Sequence, residues 1–185
     1  MSRYDLASEA QRLERRSSEE PISLFGLLVV TPVADAREYA ERLRGVIAGA
    51  VEISRSVDFE SDDVSADLLP PWFLKLSDGS GEGVQGDPVG SEGKARYLTV
   101  REDRAWDAGE WIYSFDPDLR AWSWWDITTD DHGAACVWID TKGEGRIPCE
   151  ELWWAIFVAG AAAVDPLTLE ESSVWIQQRS IGLKN

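Results

Sequence analysis

The chain has 185 residues, with 34 acidic against 18 basic side chains for a formal charge of −16, and 44% of it is apolar. That length and apolar content fit one folded domain with a full core and exclude general disorder. The charge argues against nucleic acid or an anionic membrane as a direct partner, since phosphates need a basic face. One histidine and two cysteines exclude His-rich metal sites and disulfide frameworks.

Residues 2–16 predict a first helix, with Tyr4, Leu6, Ala10 and Leu13 along one stripe. The same stretch lacks the apolar run of a secretory signal. The proline-bounded run at 22–30, β-branched at its end, reads as a buried strand. A second helix follows through about residue 50, on the spacing of Ala36, Tyr39, Ala40, Leu43, Val46 and Ile47. Val51, Ile53, Val57 and Phe59 then alternate with polar residues, which predicts a half-buried strand. The Gly/Ser/Asp-rich stretch at about 77–93 predicts a flexible excursion, because little in it buries enough to offset ordering entropy.

The second half reads as strands at 110–115, 120–127 and 133–139, joined by turn residues. Together they predict an antiparallel meander. On the strand at 120–127, Trp122 and Trp124 share one face and Trp125 takes the other. Residues 152–161 are apolar on nearly all sides, as in a helix at the centre of a domain. Thr168-Leu-Glu-Glu171 has the form of a capping box opening a last helix, although 174–176 also suits a strand. The fold class expected is α+β: an antiparallel meander packed against helices in a single domain over 1–185. No run approaches the ~20 apolar residues of a membrane-spanning helix, and two buried thiols fit a reducing compartment, so a cytoplasmic protein is expected.

Few motifs carry chemistry. Asp140 to Glu151 resembles an EF-hand loop, with Asp140, Glu144 and Glu151 at ligand positions 1, 5 and 12 and Gly145 at the turn. Lys142 sits where a third oxygen ligand belongs, and a strand-turn-helix corner explains the stretch equally well. Asp126, Asp130 and Asp131 beside His132 suit either a general base or a solvated hairpin turn. No nucleophile elbow, zincin helix, phosphate loop or Cys-x-x-Cys is present. No cofactor, metal or catalytic residue is therefore expected. An enzyme built from carboxylates distant in sequence, such as a glycoside hydrolase, is the alternative, and a phage or host structural adaptor is another.

Two acidic stretches dominate the charge, one over 58–67 and one over 102–131. Acidic side chains around an aromatic anchor suit docking onto a basic partner. The candidate contacts are Asp58, Glu60, Asp62, Asp63, Asp67, Asp126, Asp130 and Asp131, with Trp72 as the aromatic. Trp122-Ser-Trp-Trp-Asp126, Val137-Trp-Ile-Asp-Thr141 and Glu150-Glu-Leu-Trp-Trp154, taken with the acidic runs, give the chain a character that resembles the immunity proteins of bacterial polymorphic toxin systems. The resemblance covers residues 110–161. It implies a non-catalytic protein that neutralises one cognate basic toxin or enzyme by occluding its active site.

Overall fold

The first helix, α1 (Leu6–Glu14), starts where the Asp5 carboxylate accepts the N–H groups of Ala7 and Ser8. The computed structural model describes residues 4–60, 63–77 and 86–183. After α1 come the strand β1 (Leu24–Pro32), the long helix α2 (Ala36–Ser56) and the short helix α3 (Pro71–Ser77). Then follow α4 (Pro88–Arg101), α5 (Ala108–Tyr113) and the hairpin of β2 (Ser123–Thr129) and β3 (Ala135–Asp140). The chain finishes with α6 (Glu150–Gly160), β4 (Ala161–Val164), β5 (Thr168–Glu171), α7 (Ser172–Gln177) and β6 (Arg179–Ser180). The sheet is antiparallel throughout, in the order β4-β1-β3-β2-β6, with β5 beside β4 along the outer edge of β1. This is an α+β domain, as the sequence predicts.

Each face of the sheet has its own core. On one face Leu28, Val30, Trp124, Ile127, Val137 and Ile139 pack with the buried sides of α2 and α6. On the other, Phe25, Leu27, Trp125, Cys136 and Trp138 gather under Trp175 of α7. The division of Trp122 and Trp124 from Trp125 is the expected one. Eight of the ten tryptophans are buried, and Trp72 and Trp106 are half-buried, so the aromatic richness is mostly core. Residues 150–160 are a helix enclosed on all sides, also as expected.

Four local readings differ. Residues 51–56 continue α2 instead of forming a strand. Ile47, Ala50, Val51 and Ser54 recur at helical spacing and are all buried, so the period of 3.6 prevails over the apparent alternation. Residues 110–115 lie largely in α5, which opens where Asp107 accepts the N–H groups of Gly109 and Glu110. The place beside β2 that this strand would have held goes to the short β6 and, at Trp124, to side chains of α1, while β1 pairs with β3 on its other side. The end of the expected flexible excursion is ordered: Asp87 caps α4, Pro88 opens it, and Gly93 lets it approach α6 closely. A Cβ at Gly93 would fall 2.0 Å from the Phe157 carbonyl oxygen. Finally, Thr168–Glu171 pairs with β1, and the last helix begins one residue later.

One edge of the sheet is closed by a helix. The N–H and C=O of Trp124 point away from β3, toward α1. The Glu9 carboxylate accepts the Trp124 N–H at 2.6 Å, and the Arg12 guanidinium donates to the Trp124 carbonyl at 3.0 Å. The Tyr4 hydroxyl donates to the Ala121 carbonyl at 2.7 Å, three residues earlier along the chain. Glu9 is held in turn by Arg120, and both side chains are fully buried. Removing one partner of a buried pair leaves an uncompensated charge. Glu9→Ala is expected to lower the unfolding free energy in urea by about 3–5 kcal/mol. Glu41→Ala, which breaks the exposed Arg37–Glu41 pair, is expected to change it by less than about 1 kcal/mol. Equal losses for the two variants would contradict this role for Glu9.

Candidate interaction surface

The acidic stretches meet where α2 ends. Phe59, between Asp58 and Glu60, packs edge-on against Tyr113 of α5 with ring centroids 5.9 Å apart. The Ser54 hydroxyl donates to the Phe115 carbonyl at 2.8 Å, which fixes the turn after α5 against the same helix end. Asp116 and Asp118 stand on that turn. Asp63 and Asp67 lead back along α2, because the Leu68 carbonyl lies directly over Gly49. Asp58, Glu60, Asp63, Asp67 and Asp118 are exposed, and Asp116 is half-exposed. The Asp58 carboxylate accepts the Glu60 main-chain N–H and the Asp116 carboxylate accepts that of Asp118, and these bonds hold the shape of the two loops. Three apolar side chains stand exposed among them: Leu68, Tyr113 and Leu119, the last with 78% of its surface open.

Several expected contact residues lie elsewhere. Asp126 is 1% exposed and belongs to the core of the second sheet face. Its Oδ2 accepts from Trp175 Nε1 at 2.9 Å and from the Ser180 hydroxyl at 2.6 Å, with Arg16 at 3.5 Å. The cause is a β-bulge between Trp124 and Asp126, which puts Trp125 and Asp126 together on one face. Burial raises the Asp126 carboxyl above its ordinary value, against the lowering effect of these partners.

Asp130 and Asp131 are in the β2–β3 turn, at the end of β2 away from the turn that carries Asp118; β2 itself spans about 20 Å. Asp130 accepts the N–H groups of His132 and Ala134, so it is a turn-forming residue, while Asp131 is exposed. Trp72 is half-buried, with the Arg42 guanidinium 3.8 Å from its ring centre. Arg42 is roughly 20 Å along α2 from Asp58, so Trp72 is not the aromatic of this surface. Asp62 lies outside the described residues. Tyr113, Leu119 and Leu68 are the exposed apolar side chains nearest these carboxylates in the chain. Leu119 was readable as an apolar residue within the turn between Asp118 and Arg120; the meeting of Phe59 with Tyr113 depends on tertiary packing.

The EF-hand-like stretch is a strand-turn-helix corner. Asp140 accepts from both the main-chain N–H and the ammonium of Lys142, the latter at 2.6 Å. Glu150 pairs with Arg101, and Glu151 turns into the core to accept from Trp122 Nε1 at 2.6 Å. The would-be ligands diverge, and among the described residues no three His, Cys, Asp or Glu side chains gather as a metal site would need. The Cys136 and Cys149 thiols are buried and free, and burial pushes them up to about 11 and about 12. Both are neutral packing groups at ordinary pH.

The corner also forms one wall of a groove of about 450 Å³. Its other walls are the end of α4, the start of α6 and the link between β4 and β5. Among the described residues no helix is long and apolar enough to cross a membrane. No protein-family model matches the chain, and no curated protein or solved structure was found to match it.

Burial raises the Glu151 carboxyl, and the Trp122 hydrogen bond only partly offsets this. Between the ordinary carboxylate range and the raised value, the folded state binds more protons than the unfolded state. Stability therefore falls as pH rises through that window. Glu151→Gln keeps an acceptor for Trp122 and removes the charge. Its unfolding free energy relative to wild type is expected to climb from about pH 4 to about pH 7. A difference that is flat or falls over this range would contradict the assignment.

Proposed function

We propose that this protein is a non-catalytic acidic binding protein that docks on a basic surface of one cognate protein and occludes it, as an immunity protein occludes a toxin. The observation that carries the reading is the convergence at the end of α2. Two acidic stretches far apart in sequence come together there through the Phe59–Tyr113 and Ser54–Phe115 contacts, with Tyr113 and Leu119 exposed on the second stretch and Leu68 exposed at the end of the first. Carboxylates on a chain of −16 steer a basic partner and set its orientation. Desolvated apolar side chains at the centre of the contact supply the hold. A cleft that binds phosphate-bearing substrates is basic, and a carboxylate surface of this kind competes for it. The resemblance to toxin immunity proteins supports the same reading from the sequence.

The test compares wild type with the charge-reversed variant Asp58→Lys, Asp63→Lys, Asp118→Lys, and with Tyr113→Ala, as baits in native lysate at low and high salt. One basic, near-stoichiometric protein is expected on the wild type at low salt and not on the charge-reversed bait. With that protein purified, charge reversal is expected to slow association about tenfold or more at low salt, with a difference that shrinks as salt rises. Tyr113→Ala is expected to act mainly on dissociation. Retention of the same partner at unchanged rates by the charge-reversed variant would overturn this surface. Absence of any partner under all growth conditions would overturn the binding function.

A further inference from the structure

The groove has the opposite electrostatic character to the rest of the molecule. Its apolar walls include Val100, Ile147, Trp153 and Leu167. Trp153 stacks on Phe157 beneath it and carries the Arg101 guanidinium 4.2 Å from its ring centre. Arg101 is fully engaged, since two of its nitrogens donate to the two carboxylate oxygens of Glu150. Arg146, at the mouth, is exposed and forms no ion pair among the described residues. The three charged side chains of the lining therefore leave one uncompensated positive charge beside an apolar hollow, on a chain of −16. Cys149 lines the groove as a neutral thiol and adds to its apolar character.

We infer that this groove is a binding site for a small amphiphilic anion, with an apolar body against Trp153, Ile147 and Leu167 and a carboxylate or sulfonate on Arg146. The volume lies within the range of small-molecule sites, which are mostly apolar with a few polar groups that fix orientation. A guanidinium presents a forked set of donors that suits such a head group. The stretch that resembles a cation-binding loop thus contributes Gly145 to Glu150 to an anion site. The site shares no residue with the acidic surface and does not depend on the function proposed for it.

The probes are 1-anilinonaphthalene-8-sulfonate, followed by its fluorescence, and N-phenyl-1-naphthylamine, which has the same aromatic body without the sulfonate. The folded protein is expected to bind one sulfonate probe saturably, and to release it to decanoate more readily than to decanol. Arg146→Glu is expected to weaken the sulfonate probe about tenfold or more while changing the neutral probe less than about twofold. Val100→Glu, at an exposed wall position, is expected to weaken both probes. Near-ultraviolet circular dichroism confirms that each variant is folded. Absence of saturable binding would overturn the site. So would unchanged binding of the sulfonate probe by Arg146→Glu, or equal binding of the two probes by wild type.

Discussion

A sheet edge must be given partners, and at Trp124 they come from two side chains of a helix. Glu9 and Arg12 are one turn apart on α1, so they face the strand together, one accepting and one donating. The consequences run inward. Glu9 needs Arg120, and Arg120 lies over the rings of Phe115 and Trp122. Trp122 donates to Glu151 at the start of α6. A polar string therefore connects the first helix to the central one through the core. Arg120 Nε and Nη1 have no hydrogen-bond partner along it. An arrangement with buried donors left over is poor for stability; its effect is to select one placement of α1 and of the turn at 114–119. That turn carries Asp116, Asp118 and Leu119, so the shape of the acidic surface depends on a contact made at the opposite end of the string.

Sequence pattern predicts elements well where one face of a helix or strand meets one core. α1 and most of α2 were readable on that basis, and β1 and the enclosed helix α6 as apolar runs buried on all sides. The misreadings come from local patterns with two meanings. Val51, Ile53, Val57 and Phe59 alternate, yet Val51 and Ile53 also fall on the buried side of a helix that has not ended. Asp87-Pro88 is a helix start, but it follows a stretch rich in glycine whose composition dominates the reading. At the candidate surface, acidic composition was legible and its geometry was not. Asp126 illustrates the reason. One extra residue in β2 moves its side chain from the face of Trp124 to the face of Trp125; both faces carry a core, so the carboxylate is a buried acceptor where acidic composition suggests a surface one.

Charge is partitioned on the surface. The carboxylates of Asp58, Glu60, Asp63, Asp67, Asp116 and Asp118 lie toward the end of α2 with exposed apolar side chains among them, while Arg101 and Arg146 line the groove beside α6. Four other arginines are spent on the fold: Arg12 and Arg16 lie over Trp125 and Trp175, Arg42 over Trp72, and Arg44 donates to the Ile181 carbonyl at 2.7 Å. Indole faces thus hold guanidinium groups in place by cation–π contact.

The most direct test of this account is native-state hydrogen exchange at the Trp124 amide. No strand lies beside this residue on its α1 side, yet the Glu9 carboxylate holds its N–H within a buried ion pair. The amide is expected to exchange only through global unfolding, with protection equal to that of Val137 and Ile139 in β3. Exchange at the rate of an exposed loop would contradict the claim that α1 completes the sheet.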